Sequence, residues 1–130
     1  MKLLDTHTWY WWVASPELLP KAHRAFLDTT TDSIAVSMMS LWEVAMLESK
    51  GRIEIPKPLL EWFYLALDLP GIEVLDLSRE IVVESTHLPG TFHGDPADRL
   101  IVASSRVFNI PILTSDKKIR EYAFVEKVKL

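Results

Sequence analysis

The sequence contains no cysteine among its 130 residues. This absence excludes disulfide bonds and thiolate metal sites, and it agrees with a reducing, cytoplasmic location. No apolar run approaches the roughly 20 residues that a membrane-spanning helix requires, and Asp5 comes too early for a signal peptide. We therefore expect a cytoplasmic protein without a membrane segment.

The sequence also lacks an excess of positive charge. Fourteen Lys and Arg residues stand against eighteen Asp and Glu residues, which gives a formal net charge of −4. Proteins that bind nucleic acids are usually basic, so the composition alone argues mildly against a nucleic-acid substrate. The objection weakens if several acids bind divalent cations, because bound cations change the local field.

Nothing in the chain indicates a domain boundary. There is no internal repeat, low-complexity tract or long linker, and 48% of the residues are apolar. That apolar fraction is enough for a chain of this length to bury a core of its own. We expect residues 1–130 to form a single domain.

Predicted strands alternate with predicted helices along the chain. The strands are expected at 2–5, 33–36, 72–75 and 110–114, with a possible last strand at 124–128. The helices are expected at 7–14, 21–28, 38–50, from Pro58 to before Pro70, 79–88, 97–107 and briefly from Lys117. This order predicts an α/β fold with helices on both faces of a mostly parallel sheet, in which ligands bind at the carboxyl ends of the strands.

Two acids stand where strands of the predicted sheet end. Asp5 ends the first strand, and Asp116 follows the fourth by two residues. The carboxyl ends of parallel strands lie at one edge of the sheet, so these two side chains are expected near each other. Each acid could instead cap the following helix or close a turn, which is a common role of aspartate.

Glu43 lies in the helix that follows the second strand. It shares a helix face with apolar residues, including Met46 and Leu47. A carboxylate on a packed face is costly unless it has a partner or a metal ion. The alternative is a capping box between Ser40 and Glu43, which would require the helix to begin at Ser40 and not at Ser37.

Two further acids flank the start of the helix at 97–107. Asp95 directly precedes Pro96, which favours a helix cap. Asp98 has apolar residues at the third and fourth positions after it, so it is predicted to point along the buried side of the helix. Asp98 is therefore the better candidate for a metal ligand, and Asp95 a supplementary one.

The acids at this edge are candidate ligands of one metal site: Asp5, Glu43, Asp98 and Asp116. Clustered carboxylates repel one another unless a cation lies among them, so at least one should have a raised pKa when no metal is bound. Oxygen ligands without His or Cys favour Mg²⁺ or Mn²⁺ over zinc. Such a site suits in-line hydrolysis of a phosphodiester.

Four motifs together resemble the PIN-domain ribonucleases, in particular the prokaryotic toxins of VapC type. They are LLDTH at 3–7, SMMSLWEVA at 37–45, DPADRLIVA at 95–103 and LTSD at 113–116. The resemblance covers nearly the whole chain in the family's order. It implies a PIN-like three-layer α/β/α sandwich and a metal-dependent endoribonuclease that cleaves RNA phosphodiester bonds as the toxin of a toxin–antitoxin pair.

The same resemblance implies roles for individual residues and partners. The four catalytic, metal-binding acids would be Asp5, Glu43, Asp98 and Asp116, with Asp95 as an additional metal ligand and Thr6 and Thr114 as polar neighbours. The cofactor would be Mg²⁺ or Mn²⁺. The partners would be an RNA substrate, a cognate antitoxin protein and a second copy of the chain in a homodimer.

Two alternative functions remain open from the sequence. A Mg²⁺-dependent phosphatase or phospho-receiver domain is one, although receivers usually pair acids after the first strand and Asp5 stands alone there. A catalytically inactive PIN-like module that binds RNA or protein is the other, and the complete set of acids argues against it.

Several other side chains have an ambiguous role. The basic residues near the acids could bind phosphates or form a solvated helix face: Arg99, Arg106, Lys117, Lys118 and Arg120. His7, His23, His87 and His93 show no metal-ligand spacing, and only His93 is expected near the mouth of the site. The aromatic run at 9–12 predicts an interface with a second copy or an antitoxin, because one face of a short helix cannot bury it all.

Overall fold

The computed structural model describes residues 1–130 and contains four strands and seven helices. In chain order these are β1 (Lys2–Leu4), α1 (Thr6–Ala14), α2 (Lys21–Thr29), β2 (Ile34–Ser37), α3 (Met38–Ser49), α4 (Leu59–Leu67), β3 (Ile72–Leu75), α5 (Arg79–Thr86), α6 (Pro96–Phe108), β4 (Ile112–Leu113) and α7 (Lys117–Glu121). A single 3₁₀ turn, Pro16–Leu18, joins α1 to α2. None of the helices combines the length and apolar character needed to span a membrane.

The four strands form one sheet in the order β3-β2-β1-β4, and every pairing is parallel. In the centre, Leu3 of β1 pairs with Ala35 of β2 on one side and Ile112 of β4 on the other. Parallel neighbours require long crossover connections, and the helices supply them. The predicted parallel sheet is confirmed, and its carboxyl ends lie at a single edge.

Alternate residues of the strands build two separate cores. Leu4, Val36 and Leu113 face one side of the sheet, where they pack with Trp9 of α1 and Trp62 of α4. Because side chains alternate across a strand, the residue before each of these faces the opposite side of the sheet.

The second core lies on that opposite face. Leu3, Ala35 and Ile112 pack there with Ile101 of α6 and Ile119 of α7. Helices therefore cover both faces of the sheet, which confirms the predicted three-layer α/β/α sandwich.

The end of the chain differs from the prediction. The strand expected at 124–128 is reduced to one isolated bridge, in which the N–H of Ile112 donates to the carbonyl of Glu126 and the N–H of Val128 donates to the carbonyl of Ile112. The predicted strand at 110–114 is itself only two residues long, because Ile110 belongs to the cap of α6 and bonds back to Ser105. So short a strand offers too little backbone for a fifth strand to pair.

Candidate functional site

A polar cleft of about 420 Å³ opens at the carboxyl edge of the sheet. No hydrophobic residue lines this acid cleft. Its lining comprises Asp5, Thr6, His7, Glu43, His93, Asp95, Asp98, Asp116, Lys117 and Lys118. All five acids that the sequence singled out therefore lie on one cleft.

Asp5 follows β1 and is only 6% exposed. Its Oδ1 accepts the Thr8 N–H at 3.0 Å, which caps α1, and its Oδ2 accepts the Thr114 hydroxyl. The Thr114 oxygen in turn accepts the Asp116 N–H at 2.9 Å. Asp5 therefore both caps α1 and lines the cleft. Thr114 links the ends of β1 and β4 through its hydrogen bond to Asp5.

Asp95 and Asp116 are both helix caps that use one carboxylate oxygen. Asp95 Oδ1 accepts N–H groups from the first turn of α6, at 2.9 and 3.3 Å. Asp116 Oδ1 accepts the N–H groups of Lys118 and Ile119 at the start of α7, at 2.8 and 3.2 Å. The Oδ2 atom of each acid has no hydrogen-bond partner within the protein, so each keeps an oxygen for a ligand.

The start of α3 excludes one of the two roles considered for Glu43. The helix begins at Met38, and Ser37 caps it by accepting the Met39 N–H at 3.0 Å. A capping box with Ser40 as the first residue is therefore excluded. Glu43 lies one turn further along, on the cleft.

The surroundings of Glu43 change its pKa in both directions. Burial raises the pKa of Glu43 above its ordinary value, and the charges of Asp95 and Asp5 add to this effect. A hydrogen bond from the Thr6 hydroxyl to Glu43 Oε1 lowers it, as does the charge of His7. The net result is a carboxyl group whose ionised form is disfavoured.

Asp98 is the most perturbed acid. Burial, followed by the charges of Asp95, Asp116, Glu43 and Asp5, raises its pKa from 3.8 to about 7. Its Oδ2 lies 3.2 Å from His93 Nε2, in an orientation that is not aligned for a hydrogen bond. The raised pKa expected from the sequence is confirmed at Asp98 and Glu43.

The donor set fits a hard divalent cation. All five acids offer oxygen, and a cation among them would relieve the repulsion that raises the pKa of Asp98. No three acidic or histidine side chains form a ready-made group for an ion. Mg²⁺ retains several water ligands and binds through one or two carboxylates, so an open acidic cleft of this kind suits it better than a closed cage would.

Two of the basic residues serve a role that the sequence did not indicate. The Arg99 Nε donates to the carbonyl of Ser85 at 2.8 Å, and its Nη1 donates to the carbonyls of Phe92 and His93 at 3.0 and 3.3 Å. Arg99 is therefore a clamp on the loop that carries Phe92 and His93. These three hydrogen bonds to main-chain carbonyls show that it is not part of a solvated face.

Arg106 is a second clamp, with its Nε at 2.7 Å from Glu84 Oε1 and its Nη1 donating to the carbonyl of Phe124. Among the five basic candidates, Lys117 and Lys118 line the acid cleft. His7, which the sequence treated as ordinary, lies there too. Its position two residues after Asp5 was the signal that could have identified it.

Comparison with known proteins gives consistent matches. The model of the PIN domain family matches residues 2–125. Ribonuclease VapC22 of Mycobacterium tuberculosis (strain ATCC 25618 / H37Rv) is 32% identical over 120 residues, which cover 92% of this chain and 90% of that relative.

Two solved structures have a similar fold. VapBC2 from Rickettsia felis, bound to a DNA fragment from their promoter, superposes with a TM-score of 0.71 at 19% identity and covers 99% of this chain and 98% of that one. VapC20 of Mycobacterium tuberculosis, a sarcin-ricin loop cleaving toxin, gives 0.69 at 13% identity and covers 99% of this chain and 100% of that one. At these identities the two likenesses concern the fold alone.

Proposed function

The chain belongs to the PIN-domain family, and on that premise we propose that it is a metal-dependent endoribonuclease, the toxin of a toxin–antitoxin pair. The observation that carries this proposal is the collection of five acids on one polar cleft, where the pKa of Asp98 is raised to about 7. The 32% identity to a ribonuclease supports RNA as the substrate.

We assign the metal site to the acids Asp5, Glu43, Asp98 and Asp116, with Asp95 as a supplementary ligand. Carboxylate oxygens without thiolate ligands favour Mg²⁺ or Mn²⁺. When bound, the ion would supply Lewis-acid stabilisation of the negative charge that develops on the phosphate.

The remaining residues of the cleft position and balance these acids. Thr6 and Thr114 hold the carboxylates of Glu43 and Asp5 by hydrogen bonds. Lys117 and Lys118 attract the phosphate backbone of RNA towards a cleft that would otherwise repel it. A carboxylate of the cleft would accept the proton that an attacking water releases.

The test is to incubate mixed RNA with the purified protein in Mn²⁺ and again in EDTA, with Asp98→Asn as the control. We expect fragments only with the parent protein in Mn²⁺. Cleavage in EDTA would contradict the metal dependence. Hydrolysis of a small phosphomonoester without RNA cleavage would favour a phosphatase, and tight RNA binding without any hydrolysis would favour an inactive binding module.

We also propose a homodimer and an antitoxin partner, acting in the cytoplasm. Trp9 is fully buried, whereas Tyr10, Trp11 and Trp12 of the same helix are only partly buried. The remaining apolar surface is of the kind that a partner covers. Light scattering at micromolar concentration should show a dimer, and a strict monomer would remove this part of the proposal.

A further inference from the structure

A second cleft, of about 450 Å³, lies beside the acid cleft. We call it the aromatic cleft, because its lining includes Phe92, Tyr122 and Phe124. His93 and Lys118 line both clefts. The two cavities are therefore neighbours that share a wall, and a polymer bound in one can reach the other.

The rings of the aromatic cleft form a continuous series. The centroids of Phe92 and Tyr122 lie 4.8 Å apart, and those of Phe92 and His93 lie 4.4 Å apart. Tyr122 meets Phe124 edge-on at 5.7 Å. Tyr122 is buried, whereas Phe124 is 50% exposed. An exposed ring beside fixed rings offers a flat apolar face on which a nucleobase can stack.

Specific contacts hold these rings in place. The Tyr122 hydroxyl donates to the carbonyl of Pro89, and Arg106 Nη1 donates to the carbonyl of Phe124. The Phe124 ring lies against Gly90, which has a φ of +66°, and a Cβ there would stand 2.8 Å from the ring. The ring thus occupies space that only glycine leaves free, so the cleft is preformed.

The charge at the shared wall suits a nucleic acid. Glu121 lines the aromatic cleft, but its Oε1 lies 3.8 Å from the Nζ of Lys117. The positive charge of Lys117 therefore offsets the negative charge of Glu121. Lys118 has no ion-pair partner and stands between the two cavities. A free ammonium group at this point can contact the phosphate that links a base in one cleft to the scissile bond in the other.

We infer that the aromatic cleft binds one unpaired nucleobase of the RNA, next to the phosphodiester that the acid cleft hydrolyses. This inference rests on the proposed function for the identity of the polymer. The aromatic cleft itself catalyses no reaction. Its role is to place the substrate and to favour single-stranded or unstacked RNA, because a base inside a duplex cannot enter a pocket.

The test uses Phe124, whose exposed ring can be changed with little effect on the core. The variant Phe124→Leu keeps the apolar bulk and removes the ring, and Phe124→Tyr keeps the ring. Phe108→Leu is the matched control, because Phe108 is 46% exposed and lies outside both clefts. The probe is a fluorescein-labelled pool of random single-stranded RNA about 12 nucleotides long.

Cleavage of the pool is followed in Mn²⁺, and binding is followed by anisotropy in Ca²⁺. Phe124→Leu should raise KM and Kd by roughly 5- to 100-fold, the usual effect of losing one base–aromatic stack, with the loss in KM and not in kcat. Phe124→Tyr should restore both values, and Phe108→Leu should leave them unchanged. A parent-like KM and Kd in Phe124→Leu would overturn the inference. The remaining candidate to occupy the aromatic cleft would then be a side chain of a protein partner.

Failure of the two proposals can be told apart. If the parent cleaves RNA and Phe124→Leu cleaves it equally well, the nucleobase site is wrong and the ribonuclease stands. If the parent never cleaves but binds the pool in a manner that depends on Phe124, the nucleobase site stands and the ribonuclease is wrong. A parent that neither binds nor cleaves the pool refutes both.

Discussion

The acid cleft and the aromatic cleft share His93 and Lys118, yet they are built in opposite ways. In the acid cleft, helix starts and strand ends bring like charges together, and burial with this repulsion raises the pKa of Asp98 to about 7. In the aromatic cleft, two arginine clamps fix the loop and chain segment that carry the rings. The first cleft therefore costs stability until a cation binds, whereas the second contributes stability from the outset.

The largest effect should separate two acids of the same helix start. Asp98→Asn should reduce RNA cleavage on the order of a thousandfold, because it removes a proposed ligand of the catalytic cation. Asp95→Asn should lose about tenfold or less, since Asn caps a helix as well as Asp does. Initial cleavage rates in saturating Mn²⁺ measure both. Equal losses would mean that Asp95 is a full ligand and not mainly a cap.

The same substitution should increase the stability of the metal-free protein. The folded pKa of Asp98 is about 7 against an ordinary 3.8, so the folded state binds the proton more tightly than the unfolded state does. The unfolding free energy of the parent should then fall as pH rises between these two values and level off above them. Asp98→Asn should show a smaller fall, to which Glu43 still contributes, and should be more stable by about 1–3 kcal/mol at about pH 8, with little difference near pH 3.5.

Urea titrations in EDTA at the two pH values measure this difference. The variant Asp116→Asn should gain less stability than Asp98→Asn, because the Asp116 carboxylate is exposed and the amide keeps the helix cap. A less stable Asp98→Asn at high pH would show that the contact with His93 outweighs the repulsion.

The sequence predicted the acid cleft far better than the aromatic cleft, and the reason is physical. Asp5 and Asp116 are placed by strand ends, and Asp95 by Pro96, so local pattern and parallel topology are enough. Phe92 and Tyr122 meet only because the chain after α7 packs against the loop before α6, and no local period records such a contact.

The same limit applies to backbone details. The apolar pattern predicted a strand at 124–128, but Phe124 is instead half-exposed on the aromatic cleft and only Lys127 forms a bridge. The helix predicted to reach Leu88 ends at Thr86, because His87 leaves the helical conformation there. Tertiary packing likewise decides which carbonyls accept hydrogen bonds from Arg99 and Arg106.

A third prediction concerns the clamp on the loop that carries His93. Arg99→Lys keeps the charge but cannot reach three carbonyls at once, so it should destabilise the protein by about 1–3 kcal/mol. Arg120→Lys is the control, because Arg120 is exposed and its side chain makes no hydrogen bond or ion pair. Urea midpoints measure both. If the two variants are equally stable, the Arg99 clamp contributes nothing to stability.

The smallest expected effect is on the KM for RNA, and it distinguishes two glycines with nearly the same φ angle. Gly90 and Gly51 have φ values of +66° and +68°, but only at Gly90 would a Cβ meet the Phe124 ring. Each substitution by alanine should cost about 1 kcal/mol from backbone strain. Only Gly90→Ala should also raise the KM for single-stranded RNA. An equal KM in both variants would show that the position of the Phe124 ring does not affect RNA binding.

The most direct measurement of the central claim follows Mn²⁺ binding and RNA cleavage over one titration of the ion. Electron paramagnetic resonance of free Mn²⁺ reports the binding, and fragment formation reports the activity. For the parent protein, both should rise with the same midpoint, and both should be lost in Asp98→Asn. Cleavage that precedes Mn²⁺ binding, or Mn²⁺ binding that survives Asp98→Asn unchanged, would contradict the assignment of the acid cleft as the metal site.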